Sequence, residues 1–270
     1  MRKKWVLFFS IPSALFSFVL DPYFTPVAEV QLRSSYSYRY YPSVNQAINP
    51  SSYHSHDQLI DLNLGVQFWP NWEMQIAGDF SSTRKLNWGG QRVGVQLRYL
   101  LLDDIIGDPI SLTLGGQLFF VPTRNIRDVS SPYHSQGNLE LGIAVGKEID
   151  STFHWLWRFW GFLGGGIANR GTPWIRPLLA VEGKFHLHHK LKIFSEGYFG
   201  FGNQNRVNVN RFNGYGKIAH RSIDLGLNYT YHFNIWGDLG IQYAYRVYAH
   251  SFPQHASIFT IGYRLPFSLF

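Results

Sequence analysis

Along most of this chain, apolar positions alternate with small or polar ones at a period of two. The pattern recurs in Leu64-Gly65-Val66-Gln67, Val93-Gly94-Val95-Gln96, Leu114-Gly115-Gly116-Gln117, Leu225-Gly226-Leu227-Asn228 and Leu239-Gly240-Ile241-Gln242. Successive side chains of an extended strand point to opposite faces, so each segment carries one greasy face and one small, polar face. The spacing predicts strands over 26–41, 58–69, 72–81, 90–101, 109–120, 137–148, 154–168, 174–186, 190–202, 219–233, 237–249 and 257–270. In 154–168 and 174–186 the alternation is blurred by Gly161, Gly164, Gly165, Gly166 and Pro177.

The connections are sorted by length. Short ones, such as Pro70-Asn71 and Asn234 to Trp236, alternate with longer ones at Tyr41 to Asp57, Val121 to Gln136 and Gln204 to Ile218. Transmembrane β-barrels are built this way, with short periplasmic turns and longer external loops, whereas a soluble sheet has no reason to sort its loops. Aromatic residues gather near strand ends: Trp69, Trp72, Trp155, Trp157 and Trp236 at the short turns, Phe80, Phe120 and Phe259 at the long loops. That is where the two membrane interfaces would place them.

Composition agrees. Aromatics are 17% of the chain and charged residues only 15%, against about 25% charged in an ordinary soluble domain. Mean hydropathy is nevertheless −0.13, and past the N-terminus no run reaches the roughly 18 apolar residues of a membrane helix. The expected fold is therefore all-β, a transmembrane antiparallel up-and-down barrel of about twelve strands. Residues 1–20 read as an export signal: Arg2, Lys3 and Lys4 precede an apolar stretch interrupted by Pro12, too short to span a membrane. The barrel then occupies 21–270. The chain has no Cys, so neither disulfides nor thiolate metal sites contribute.

The last strand contains Gly262-Tyr263-Arg264-Leu265-Pro266-Phe267 and the chain ends in Phe270. A glycine, alternating apolar residues and a terminal aromatic resemble the C-terminal assembly signal of Gram-negative outer-membrane β-barrel proteins. Phe270 is out of phase with Tyr263, Leu265 and Phe267, so Phe267 is the alternative bearer of the signal. The resemblance implies passage through the periplasm, recognition by the barrel assembly machinery and contact with outer-membrane lipid.

Alternation also assigns the interior. Arg92, Arg98, Arg246, Asp61, Glu73, Asp79, Gln67, Gln96 and Gln117 are expected to line the lumen. Inward cations and anions are equally numerous, so salt bridging across the interior competes with an open pore of one sign. Inward Gly65, Gly94, Gly115, Gly226 and Gly240 either leave cross-section open or let the sheet bend. The positive excess lies in the external loops, with Arg84, Lys85, Arg124, Arg127, Arg206 and Arg211 at the outer rim. These suit lipid phosphates or steered anionic solutes; no basic helix or module points to nucleic acid.

The expected function is a porin-like channel for small polar solutes, with no cofactor and no metal. Two alternatives remain. His220, Ser222 and Asp224 follow one another on one strand face. Outer-membrane lipid hydrolases of the phospholipase or lipid A deacylase type use a Ser activated by a nearby His, with a third polar group to orient it. The likeness to them extends no further than this pair, and with 11 His in the chain such pairs arise by chance. Otherwise the barrel is non-conducting, structural or adhesive.

Overall fold

The computed structural model describes residues 18, 20–151, 155–186 and 188–268. Twelve strands close into one barrel: β1 (Glu29–Tyr41), β2 (Ser55–Trp69), β3 (Trp72–Ser82), β4 (Gly89–Leu102), β5 (Ser111–Phe120), β6 (Gly137–Ser151), β7 (Trp155–Ala168), β8 (Trp174–Phe185), β9 (His189–Gly200), β10 (Arg221–His232), β11 (Asp238–His250) and β12 (Ser257–Ser268). Every neighbour pair is antiparallel, and β1 meets β12 from Glu29 opposite Ser268 to Tyr40 opposite Ser257. Closure leaves no unpaired sheet edge, which hydrocarbon would not tolerate. All twelve expected strands form. The export-signal reading rests on residues that lie, except for Phe18 and Leu20, outside those described, as does Phe270.

The period-two pattern decides which face looks out. Leu64, Ile76, Val95, Leu141, Leu179 and Ile193 are all exposed around the barrel's circumference. Such a continuous apolar band is covered by lipid rather than water. Phe267 lies on this outer face, and Pro266 sits opposite Gln31, where β12 closes on β1. Bulges shift the register at Gln67/Trp69, Asp79/Phe80, Leu100/Leu102 and Ile223/Asp224, close to strand ends, where an extra residue re-aims the chain.

The long loops are not loose. Residues 47–48 pair with 207–208, and 43–44 pair with 253–254, stitching three of them together. Their apolar side chains, including Val44, Val129, Val207, Phe212, Tyr215 and Phe252, form a buried cluster with Tyr41, Phe119 and Trp174 of the wall. The loop after β5, which contains the short helix α1 (Thr123–Ile126), enters this cluster through Val129 and Tyr133. The barrel mouth therefore carries its own small hydrophobic core.

Candidate functional site

The lumen is the candidate site, and its wall is built from charge pairs in register. Asp79 faces Arg92, Glu73 faces Arg98, and Asp224 faces Arg246 on adjacent strands. The corresponding ion pairs measure 2.7, 3.1 and 2.7 Å, with the guanidinium ends almost wholly buried. Arg246 donates from Nε to Asp224 Oδ1 at 2.7 Å and from Nη2 to Oδ2 at 2.8 Å, a fork-to-fork geometry that fixes both side chains. Arg39–Asp57 repeats the theme at 2.7 Å, and Arg39 also donates to Ser130 O at 2.6 Å, tying the wall to the loop after β5.

One pair spans a whole strand. Arg176 on β8 binds Glu140 on β6, across β7, where Gly164 and Gly166 are the intervening inward residues. A Cβ at Gly164 would lie 2.9 Å from Glu140 Oε1, and one at Gly166 would lie 2.0 Å from the Trp174 ring. Side chains there would expel the pair. Glu140 further accepts Trp174 Nε1–H at 2.9 Å and Gln117 Nε2–H at 2.6 Å. Gln75, Gln96, Gln117 and Glu140 stand side by side in register on β3 to β6, a polar girdle along that half of the wall.

The lumen-lining residues expected from sequence all stand on the inner face, and Arg92, Arg98, Arg246, Glu73, Asp79, Gln67, Gln96 and Gln117 are buried there. Asp61 lies opposite Asp79 in register, and Gln67 donates to Pro70 O at 2.6 Å at the turn. The sequence leaves open whether the inward glycines widen the lumen or bend the sheet; the notches at Gly94 and Gly226 are filled, by Phe119 with Phe18 and by the Phe194 ring. The inner face is also not uniformly polar: Trp160, Phe162, Leu178 and Phe194 form a buried apolar patch across β7 to β9. There both faces are apolar, which is why the alternation of β7 and β8 is blurred.

That patch has an occupant. The segment before β1 runs into the lumen, with Leu20 and Tyr23 packed on the apolar patch. Thr113 Oγ1 donates to Pro22 O at 2.9 Å, and Arg98 donates to the carbonyls of Asp21 and Tyr23. Arg158 lies 4.2 Å over the Tyr23 ring and Arg98 4.7 Å over Phe24. Beside this plug a cavity of ≈ 200 Å³, lined by Arg158, Glu182, Lys184, His232, Asp238 and Arg264, remains at the short-turn end. No period in the sequence signals an inserted segment; the only hint is the run Asp21 to Pro26, too short and too proline-rich for a strand.

The long-loop end is closed by the loop after β5. Its His134 sits Nε2 to Nε2 with His220, 2.9 Å apart, and its Nδ1 bonds Thr172 O at 3.0 Å. A carbonyl only accepts, so His134 carries its proton on Nδ1; His220 must then donate from Nε2, leaving its buried Nδ1 without a hydrogen-bond partner. Burial pulls His134 down to about 4, and burial together with the nearby His134 and Arg246 pulls His220 well below the ordinary imidazole value.

This arrangement bears on the hydrolase candidates. His220 is committed to His134 and Asp224 to Arg246, and among the described residues no hydrogen bond joins Ser222 to His220. The three side chains share a face without forming a relay. His188 and His189 point to His232 O and the Tyr229 hydroxyl respectively, and no group of metal-holding side chains occurs among the described residues.

The outer-rim cations divide into two sets. Arg84 bonds His54 and stacks 5.1 Å over Tyr53, Lys85 donates to the carbonyls of Arg127 and Val209, and Arg124 donates to Asn125 Oδ1. Arg127, Arg206 and Arg211, with Arg170 and Lys217, instead face a common cavity.

A closed antiparallel barrel with a lipid-facing belt and a salt-bridged interior defines a transmembrane β-barrel of the outer-membrane type. Among solved structures the chain is similar to an outer-membrane channel from Pseudomonas putida F1, at 13% identity over 92% of this chain and 98% of that one, TM-score 0.57. It is similar also to the NanC porin, at 14% identity over 87% and 98% of the two chains, and to the KdgM porin, at 9% over 86% and 99%, each with TM-score 0.50. No protein-family model matches the chain. No curated protein matches it either.

Proposed function

We propose that the protein is an outer-membrane channel for small polar solutes, held here in a closed state. One observation carries this reading: the lumen is closed at each end by segments that belong to no barrel strand. A barrel of twelve strands is wider than the eight-stranded kind that its own side chains fill. The remaining cross-section is taken up by residues 21–28 from below and by the loop after β5 from above. The lower plug is held partly by hydrogen bonds to backbone carbonyls that water can replace. The likeness to solved channels supports the reading at the level of fold. Export by residues 1–20, assembly through Phe267 and a place in the outer membrane belong to the same proposal.

A non-conducting barrel is the second reading, favoured by the apolar core of the loop cap, which is costlier to open than a polar lid. Conductance of the full chain in planar bilayers separates the two. Infrequent small steps that become large and persistent when both the plug and the loop after β5 are released are expected. A correctly folded, heat-modifiable barrel that stays silent with both released overturns the channel. Hydrolase activity is the least supported reading, and any such activity surviving Ser222→Ala removes it.

A further inference from the structure

Of the eight cationic side chains in the external loops, Arg84, Lys85 and Arg124 are tied to neighbouring carbonyls and rings. The other five, Arg127, Arg170, Arg206, Arg211 and Lys217, make no ion pair or side-chain hydrogen bond among the described residues, and all five line one cavity of ≈ 510 Å³. They come from three different loops. No Asp or Glu lines that cavity, and the acid nearest in sequence, Asp128, is buried against Thr83 and Ser130. Five like charges gathered without a counter-ion repel one another, a cost that evolution removes easily at exposed positions unless an anion offsets it.

The floor is rigid as well as polar. Gly214, at φ +83°, and Gly216 pack against the His134 carbonyl, where a Cβ would come within 2.5 and 2.9 Å. Thr172 donates from its backbone N–H and its hydroxyl to Gly216 O at 2.6 and 3.1 Å. Gln136, Gln204 and Asn208 add amide donors around the wall.

We propose that this external cavity is a binding site for a multiply charged anion, a phosphate- or carboxylate-bearing group presented from outside the cell. Four guanidinium groups provide planar forks that match such oxyanions two bonds at a time, and the lysine adds a point charge. The site is distinct from the lumen and stands whether or not the barrel conducts. Its ligand is either a soluble anion or the headgroup of a neighbouring lipid, which share the same chemistry.

The test is calorimetric titration of the full-length barrel, in neutral phosphatidylcholine nanodiscs at low salt, with sodium tripolyphosphate. One-to-one saturable binding is expected, weakened at least about tenfold by Arg206→Gln with Arg211→Gln, since charge-assisted bonds are lost. Lys85→Gln with Arg124→Gln, which changes the net charge equally, should leave affinity within about twofold. Unchanged heat-modifiable mobility certifies the fold of both variants. Discs containing phosphatidylglycerol then assign the source: abolished tripolyphosphate binding means a lipid headgroup, and retained binding means a soluble anion. No saturable binding in neutral discs, or equal weakening by both double variants, overturns the site.

Discussion

His134 of the loop after β5 and His220 at the foot of the β9–β10 loop meet Nε2 to Nε2 at 2.9 Å, both buried, with Trp174 at 4.4 Å and Tyr198, Tyr215 and Phe252 around them. The bond needs His134 neutral with its Nε2 bare; a proton on both Nε2 atoms leaves two donors facing each other.

The pair makes the cap acid-sensitive. Each imidazole binds its proton more weakly when packed than when released, so the opened cap takes up more protons as pH falls. Cap stability is therefore full above the ordinary value of 6.5 and lost progressively from there towards about 4. Asp128, pushed up by burial, works in the opposite sense, but one carboxyl stands against two imidazoles. Amide exchange across 121–136, corrected for intrinsic rates, should be at least about tenfold faster at about pH 5 than at about pH 7.5. Equal protection at both values would refute this.

The Arg176–Glu140 pair should be costly to break and cheap to replace. Arg176→Met strands the carboxylates of both Glu140 and Glu196 and is expected to cost about 3–5 kcal/mol, whereas adding Glu140→Gln with Glu196→Gln should recover most of the loss. Urea unfolding in lipid vesicles reads both. A single variant as stable as the parent would show that Glu140 is compensated elsewhere.

The plug can be locked. A Cβ at Gly146 would lie 2.7 Å from Pro22 Cγ, so Pro22→Cys with Gly146→Cys brings two thiols within disulfide reach in a chain with no other Cys. Oxidation should suppress conductance and reduction restore it. Identical currents in both states would mean that residues 21–28 do not control the pore.

The belt sets a depth scale. Ile143 lies near the middle of the outer face of β6 and Ile149 near its short-turn end, both exposed. Ile143→Arg is expected to cost about 2–4 kcal/mol and Ile149→Arg about 0–1 kcal/mol, because a cation near the interface keeps its water. Equal costs in vesicle unfolding would place the membrane elsewhere on the barrel.

Strand number, inside and outside, and the identity of the lumen's charged residues were legible in the chain because a period of two converts sequence position directly into face. Gly164 and Gly166 were legible only as blurring, since their role is to admit Glu140 and Trp174 from neighbouring strands. Leu20 read as the end of the export signal and Tyr23 as the approach to the first strand, and their place against Trp160 carries no periodic signal at all. The catalytic candidates His220, Ser222 and Asp224 share a face as the spacing implies, yet His134 and Arg246 claim two of them.

By itself the sequence determined a closed β-barrel, oily without and charged within, because alternation is a local property that each strand writes for itself. Only the tertiary structure decided what fills the interior, which charges pair across it and where the five outer cations converge, because those depend on residues far apart in the chain meeting in space.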